Sequence, residues 1–131
     1  MPYIHIQLSG AADNTLAEQV AATASELTAR LLHKDPALTA VVIDFVPATQ
    51  WFVAGQRLAE GTRRSYHWTV SITDETNTKA EKAAYLAAVH QAMDELLHGA
   101  VEHSYTYVID ARAAAYGFGG RTQEWRYQQA L

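Results

Sequence analysis

The spacing of apolar positions changes period along the chain, and it does so twice in the same order. In Tyr3-Ile-His-Ile-Gln-Leu-Ser9 the apolar residues Ile4, Ile6 and Leu8 recur at every second position, as a strand with one buried face requires. Trp68, Val70 and Ile72 repeat that spacing within 66–72. After each strand the period lengthens to that of a helix. Leu16, Val20, Ala24, Leu27 and Leu31 form one stripe, and Leu86, Val89, Met93 and Leu97 form the other. Each stripe is suited to covering one face of a sheet. Thr15-Leu-Ala-Glu18 and Thr78-Lys-Ala-Glu81 predict a capping box at both helix starts, in which Thr and Glu satisfy free backbone amides reciprocally. The stripes run out at His33 and His98, with Pro36 and Gly99 as stop signals.

A second strand closes each half, Val41-Val-Ile-Asp44 and Tyr107-Val-Ile-Asp110. Behind each comes an aromatic-and-glycine segment, Trp51 to Gly55 and Tyr116 to Gly120. Matching landmarks stay 63 to 66 positions apart, from the pair Tyr3 and Tyr66 to the pair Ile43 and Ile109. Duplication with small insertions produces that pattern. The expected fold is α+β within one domain spanning 1–131. Two tandem βαβ units, residues 2–56 and 65–121, form a four-stranded mixed sheet with two helices on one face. A polar linker occupies 57–64. The same β-α-β-β-α-β order also describes ferredoxin-like domains, including dimeric barrels that bind a ligand or haem. In that case His67 and Trp68 would be the residues of interest. The runs Val41–Ile43 and Tyr105–Ile109 are apolar on both faces, which predicts burial on both sides and hence a subunit interface.

Composition narrows the chemistry. With no cysteine among 131 residues, neither a disulfide framework nor a thiolate zinc site is available. The six histidines form no His-x-x-x-His pair and stand beside no carboxylate cluster, so no metal site is expected. A net charge of −4, with no basic cluster beyond Arg63-Arg64, argues against a nucleic-acid surface. No apolar run approaches the roughly 20 residues that span a bilayer. The N-terminus lacks the cationic and apolar regions of a signal peptide, which predicts a cytoplasmic protein. No nucleophilic serine motif, phosphate loop or dinucleotide fingerprint is present, and no cofactor is expected. Gly117, Gly119 and Gly120 read as hairpin glycines.

Three features together resemble the tautomerase superfamily, the group containing 4-oxalocrotonate tautomerase and malonate semialdehyde decarboxylase. They are Pro2 directly after Met1 at the head of an alternating strand, the duplicated βαβ unit, and the aromatic-and-glycine segment behind each unit. The resemblance covers nearly the whole chain. It implies a cofactor-independent keto-enol isomerase acting on a small 2-keto or enol carboxylic acid. Removal of Met1 would free the Pro2 amine as general base and acid. Hydratase, decarboxylase and dehalogenase relatives use the same proline in its protonated form. A base works best with a pKa near the operating pH, and an apolar pocket with nearby cations brings an amine down to that range. The resemblance also implies a homotrimer, a closed threefold assembly. Outside that context, Pro2 is an ordinary strand-opening residue.

The substrate-binding residues are less patterned. Tyr116 and Trp51 match the place where relatives present an aromatic wall to the pocket, and the Tyr116 hydroxyl is suited to an enolate or carboxylate oxygen. For Trp51, simple packing beside glycines is an equal reading. Tyr107 shares one strand face with Tyr105 and is a further candidate contact. The chain departs from the family in its arginines: none lies in Gly10-Ala-Ala-Asp13 or in Leu38–Ile43, and Thr73-Asp74-Glu75 is acidic where decarboxylase relatives carry arginines. Asp35 is the acid nearest to the place of their water-orienting aspartate. Arg112, closing the fourth strand beside Asp110, is the carboxylate-binding candidate. Arg57, Arg63, Arg64, Arg121 and Arg126 read as solvated surface charges.

Overall fold

The structure, a computed structural model, describes residues 1–131. The first half contains β1 (Tyr3–Ser9), α1 (Asn14–Leu32), β2 (Ala40–Val46) and a small hairpin of β3 (Phe52–Val53) and β4 (Gln56–Arg57). The second contains β5 (Tyr66–Thr73), α2 (Lys79–Leu96), β6 (Tyr105–Ala111), a hairpin of β7 (Gly117–Phe118) and β8 (Arg121–Thr122), and a terminal helix α3 (Gln123–Gln129). The four long strands form one sheet in the order β2-β1-β5-β6. β1 runs parallel to β2 and β5 parallel to β6, while β1 and β5 meet antiparallel at the centre. The sheet is mixed, as the repeat predicts. In a split βαβ unit, as ferredoxin-like domains use, another strand separates the parallel pair. Here each parallel pair is directly adjacent, so the ferredoxin-like alternative is set aside.

The two-residue alternation decides which face is buried. Ile4, Ile6 and Leu8 of β1 and Tyr66, Trp68, Val70 and Ile72 of β5 all point at the helices and are almost fully enclosed. The opposite residues face away, and the outer strands leave Val42, Tyr105, Tyr107 and Ile109 exposed there. Tyr105, Tyr107 and Ile109 form an apolar row along β6, and Val42 lies on the opposite edge strand, with polar residues of β1 and β5 between them. None of the helices is long and apolar enough to cross a membrane.

Three local expectations need correction. The Thr78–Glu81 capping box is present, but Thr15 does not cap α1. Asp13 does, its carboxylate accepting from the Leu16 amide at 3.1 Å; a carboxylate at that position also suits the positive end of the helix. On α1 the buried stripe drifts to Thr28 and Leu32, leaving Leu31 only partly covered. On α2 it runs through Tyr85, Val89 and Met93, while Leu86 is 39% exposed. Tyr85 displaces Leu86 because its hydroxyl has partners inside. It hydrogen-bonds the Thr28 hydroxyl at 2.9 Å and accepts from the Trp68 indole N–H at 3.0 Å. Those groups come from α1 and β5, and all are buried. The 57–64 segment is also less loose than a polar linker suggests, since Leu58 is buried and its amide donates to the Trp51 carbonyl at 2.9 Å.

Tyr85→Phe keeps the ring but strands the Trp68 N–H and the Thr28 hydroxyl. Leaving such buried groups unpaired costs about 1–3 kcal/mol. Urea denaturation is expected to show a loss of that size, whereas Leu86→Ala on the exposed flank is expected to stay within about 1 kcal/mol of wild type.

Candidate active site

The antiparallel seam places the start of β1 beside the end of β5. Tyr3 pairs with Ser71, so Pro2 and Met1 lie opposite Ile72 and Thr73 in the same register. Pro2 is buried, and its carbonyl accepts from the Ala40 amide at 3.3 Å. The chain's amino group is partly enclosed there. Burial lowers its pKa from the ordinary amine value, and the positive charge of Lys34 lowers it further.

Lys34 reaches this end of the sheet through a specific turn. His33 ends α1 in the left-handed conformation at φ 59°, which redirects the chain across the strand ends. The Lys34 ammonium then donates to the Thr76 hydroxyl at 2.8 Å, and that hydroxyl donates to the Thr73 carbonyl at 2.5 Å. Asn77 donates to the Leu32 carbonyl at 3.0 Å, fastening the 74–78 loop to the end of α1. Burial lowers the Lys34 pKa, and the negative charges of Glu81 and Asp110 oppose that shift. Glu81 is itself held below the usual carboxylate range, chiefly by the Thr78 amide.

The second hairpin approaches the same end. The Thr73 and Tyr116 hydroxyls share a 2.5 Å hydrogen bond, which anchors the ring of Tyr116 above the end of β5. Arg112 follows directly on β6 and is exposed, with no side-chain partner. A cavity of about 500 Å³ adjoins Thr73 and is lined by Asp74, Glu75, Gln123, Glu124 and Tyr127. The fold thus gathers Pro2, Tyr116 and Arg112 at one end of the sheet and adds Lys34 and Thr73 to them. It does not gather the other two candidates. Trp51 follows β2, so within one chain it stands at the far end of the sheet from Pro2. Tyr107 is mid-strand on the uncovered face, 51% exposed, stacked on Tyr105 and edge-on to His67.

Lys34 and α3 carry no sequence signal of comparable strength. A lysine just past a helix end is an ordinary surface position, and only the fold of the 74–78 loop makes it otherwise. Thr122, whose hydroxyl accepts from the Trp125 amide at 3.0 Å, is the one cue to the terminal helix.

No family model and no curated relative matches the chain. Solved structures do. A native fused 4-OT is 19% identical with a TM-score of 0.80, over 94% of this chain and 97% of its own. A protein inactivated by 2-oxo-3-pentynoate is 17% identical with a TM-score of 0.81, over 95% and 98%. A fused 4-OT symmetric trimer is 15% identical with a TM-score of 0.80, over 93% and 96%. The chain therefore shares the fold of these fused 4-OT structures along nearly its full length.

The placement of Tyr116 depends on Gly117. A Cβ there would meet the Arg121 carbonyl oxygen at 1.9 Å. Gly117→Ala is expected to break the β7–β8 pairing and cost about 1–3 kcal/mol. Limited proteolysis is expected to show new cleavage within 116–122, and near-ultraviolet circular dichroism a changed tyrosine signal.

Proposed function

We propose that the chain is a cytoplasmic, cofactor-independent tautomerase-type enzyme whose base is the Pro2 amine, freed by removal of Met1. The observation that carries this reading is electrostatic: the amino end of the chain lies in a partly buried site beside the Lys34 ammonium. Pro2 lies one residue deeper and is buried, so its freed amine would meet the same burial and the same cation. Both favour the neutral amine over its charged form. A neutral secondary amine held on a strand end is positioned to accept a proton from the carbon alpha to a carbonyl. The C–H electrons pass into an enolate, and the protonated proline returns the proton at the other end of the conjugated system. In this reading Tyr116 donates its one hydroxyl proton to the developing oxyanion, and the Thr73 hydroxyl donates to the Tyr116 oxygen in turn. Lys34, with Arg112 at the same sheet end, supplies the positive charge for a substrate carboxylate that the missing family arginines would otherwise provide.

The inactivation of a structural relative by 2-oxo-3-pentynoate supports the same reading, because an acetylenic 2-keto acid is an acceptor for a neutral amine. The exposed apolar row Tyr105, Tyr107 and Ile109 on one edge strand, with Val42 exposed on the other, supports a homotrimer, the state reported for a fused 4-OT structure. Light scattering is expected to give a mass three times 14.4 kDa.

Intact mass is expected to show loss of Met1, and treatment with 2-oxo-3-pentynoate a single adduct mapping to Pro2. Retention of Met1 overturns the proposal. Pro2→Ala is expected to abolish labelling and to lower phenylpyruvate or 2-hydroxymuconate ketonisation by about 100-fold or more.

Lys34→Gln removes a cation that lowers the amine pKa, so that pKa rises. Base catalysis requires the deprotonated amine. The rising limb of the kcat/KM–pH profile is therefore expected to move to higher pH. An unmoved limb with a raised KM would instead confine Lys34 to substrate binding.

A further inference from the structure

The repeat gives the Pro2 site a counterpart at the opposite end of the sheet. Tyr3 and Tyr66 open the matching strands, so Ser65 stands where Pro2 stands. Residue 65 is in mid-chain, and its nitrogen is an amide that donates to the Ser9 hydroxyl at 2.9 Å. Its own hydroxyl donates to the His103 carbonyl at 2.9 Å. Proton-transfer chemistry of the Pro2 kind has no group to use there. A cavity nevertheless persists beside it, about 300 Å³, between the first hairpin, the 58–63 segment and Val101.

Arg57 and Arg63 both line that cavity. Among the ten Lys and Arg residues, most are engaged. Arg30 and Lys82 hold carboxylates, Arg64 and Arg126 donate to backbone carbonyls, Lys34 donates to Thr76, and Arg121 lies over Trp125. Arg57 and Arg63 have neither an ion pair nor a hydrogen bond, and they are the two unpaired cations that share one cavity. Both side chains are exposed at the cleft, each beside a neighbour from the surrounding segments. Arg57 lies 5.8 Å from the centre of the Phe52 ring, and the Arg63 stem crosses Gly99, where a Cβ would sit 3.8 Å from its Cγ and Nε. One acid, Glu60, lines the same cleft. Gln56 and the backbone of Gly61 add neutral polar groups to the wall. Two guanidinium groups against one carboxylate leave the cleft positively charged.

We propose that this cleft is a second binding site for a small carboxylate, a non-reacting counterpart of the Pro2 site with Arg57 and Arg63 as its anion-binding residues. Guanidinium groups suit planar carboxylates through paired N–H donors. Phosphate has the same oxyanion chemistry and is the competing ligand to be distinguished.

The test is a calorimetric titration of the intact protein with pyruvate and, separately, with inorganic phosphate, at matched ionic strength. Wild type and Pro2→Ala are both expected to bind pyruvate at this site, which separates the outcome from the fate of the Pro2 proposal. Arg57→Ala and Arg63→Ala are each expected to weaken that binding by about tenfold, and the double variant to remove it. Pyruvate binding in Pro2→Ala that is unaffected by the double variant overturns the proposal, as does the absence of binding. Tighter binding of phosphate than of pyruvate overturns the carboxylate assignment. Arg57→Lys and Arg63→Lys keep the charge, and recovery of most of the affinity would separate anion binding from damage to the hairpin. Thermal denaturation of each variant checks that it is folded.

Discussion

The Tyr85 hydroxyl is a buried polar group on which the two halves jointly depend. It binds Thr28 from the first helix and Trp68 from the third long strand, so α1, α2 and the sheet meet at one oxygen. The surrounding core is apolar, and apolar contact is tolerant of sliding. A hydroxyl with two fixed partners is not, because a shift leaves buried donors unpaired. This hydrogen-bonded centre therefore fixes how α1 and α2 sit on β5, the strand that meets β1 at the central seam. Everything at the ends of the sheet inherits its position from that seam.

Antiparallel pairing at the seam makes the two ends of the sheet relatives by repeat and different by chemistry. One end receives the chain's amino terminus, Lys34 and the second hairpin. The other receives the covalent connection between units, the first hairpin and three arginines. A duplicated sequence thus folds into a sheet whose ends have the same shape and unlike charges. The acidic turn Thr73-Asp74-Glu75 and the basic segment Arg63-Arg64 are opposite ends of that polarity.

The architecture was legible because it rests on periodicity. Ile4, Ile6 and Leu8 announce a strand and its buried face together, and their counterparts in the second half repeat the message. Helix phase was legible only to within one residue. Tyr85 and Leu86 both fit a helical stripe, and the hydrogen bonds that choose Tyr85 come from partners 57 and 17 positions away. Asp13 took the cap from Thr15 for a related reason, since two acceptable capping residues stood two positions apart. At the candidate site, Pro2 and Tyr116 stood out because each sits at a repeat landmark. Lys34 did not, because its significance depends on a loop forty residues further along the chain that folds over it. Trp51 matches Tyr116 in sequence, yet the pseudo-twofold relation sends it to the other end of the sheet. A repeat identifies equivalent positions without saying which end of the fold each will occupy.

If Met1 is removed as proposed, the burial of Pro2 also sets the order of events. Its ring is enclosed and its carbonyl is tied to Ala40, so the bond joining Met1 to Pro2 is embedded at the margin of a finished sheet. A processing peptidase needs an extended, accessible terminus. Excision is therefore favoured while β1 is still unpaired, before the second half of the chain arrives to complete the seam. On that view the ribosome's pace matters to this protein: synthesis of some sixty further residues separates the emergence of Pro2 from the strand that buries it. That delay is the interval in which the proposed release of the amine would take place.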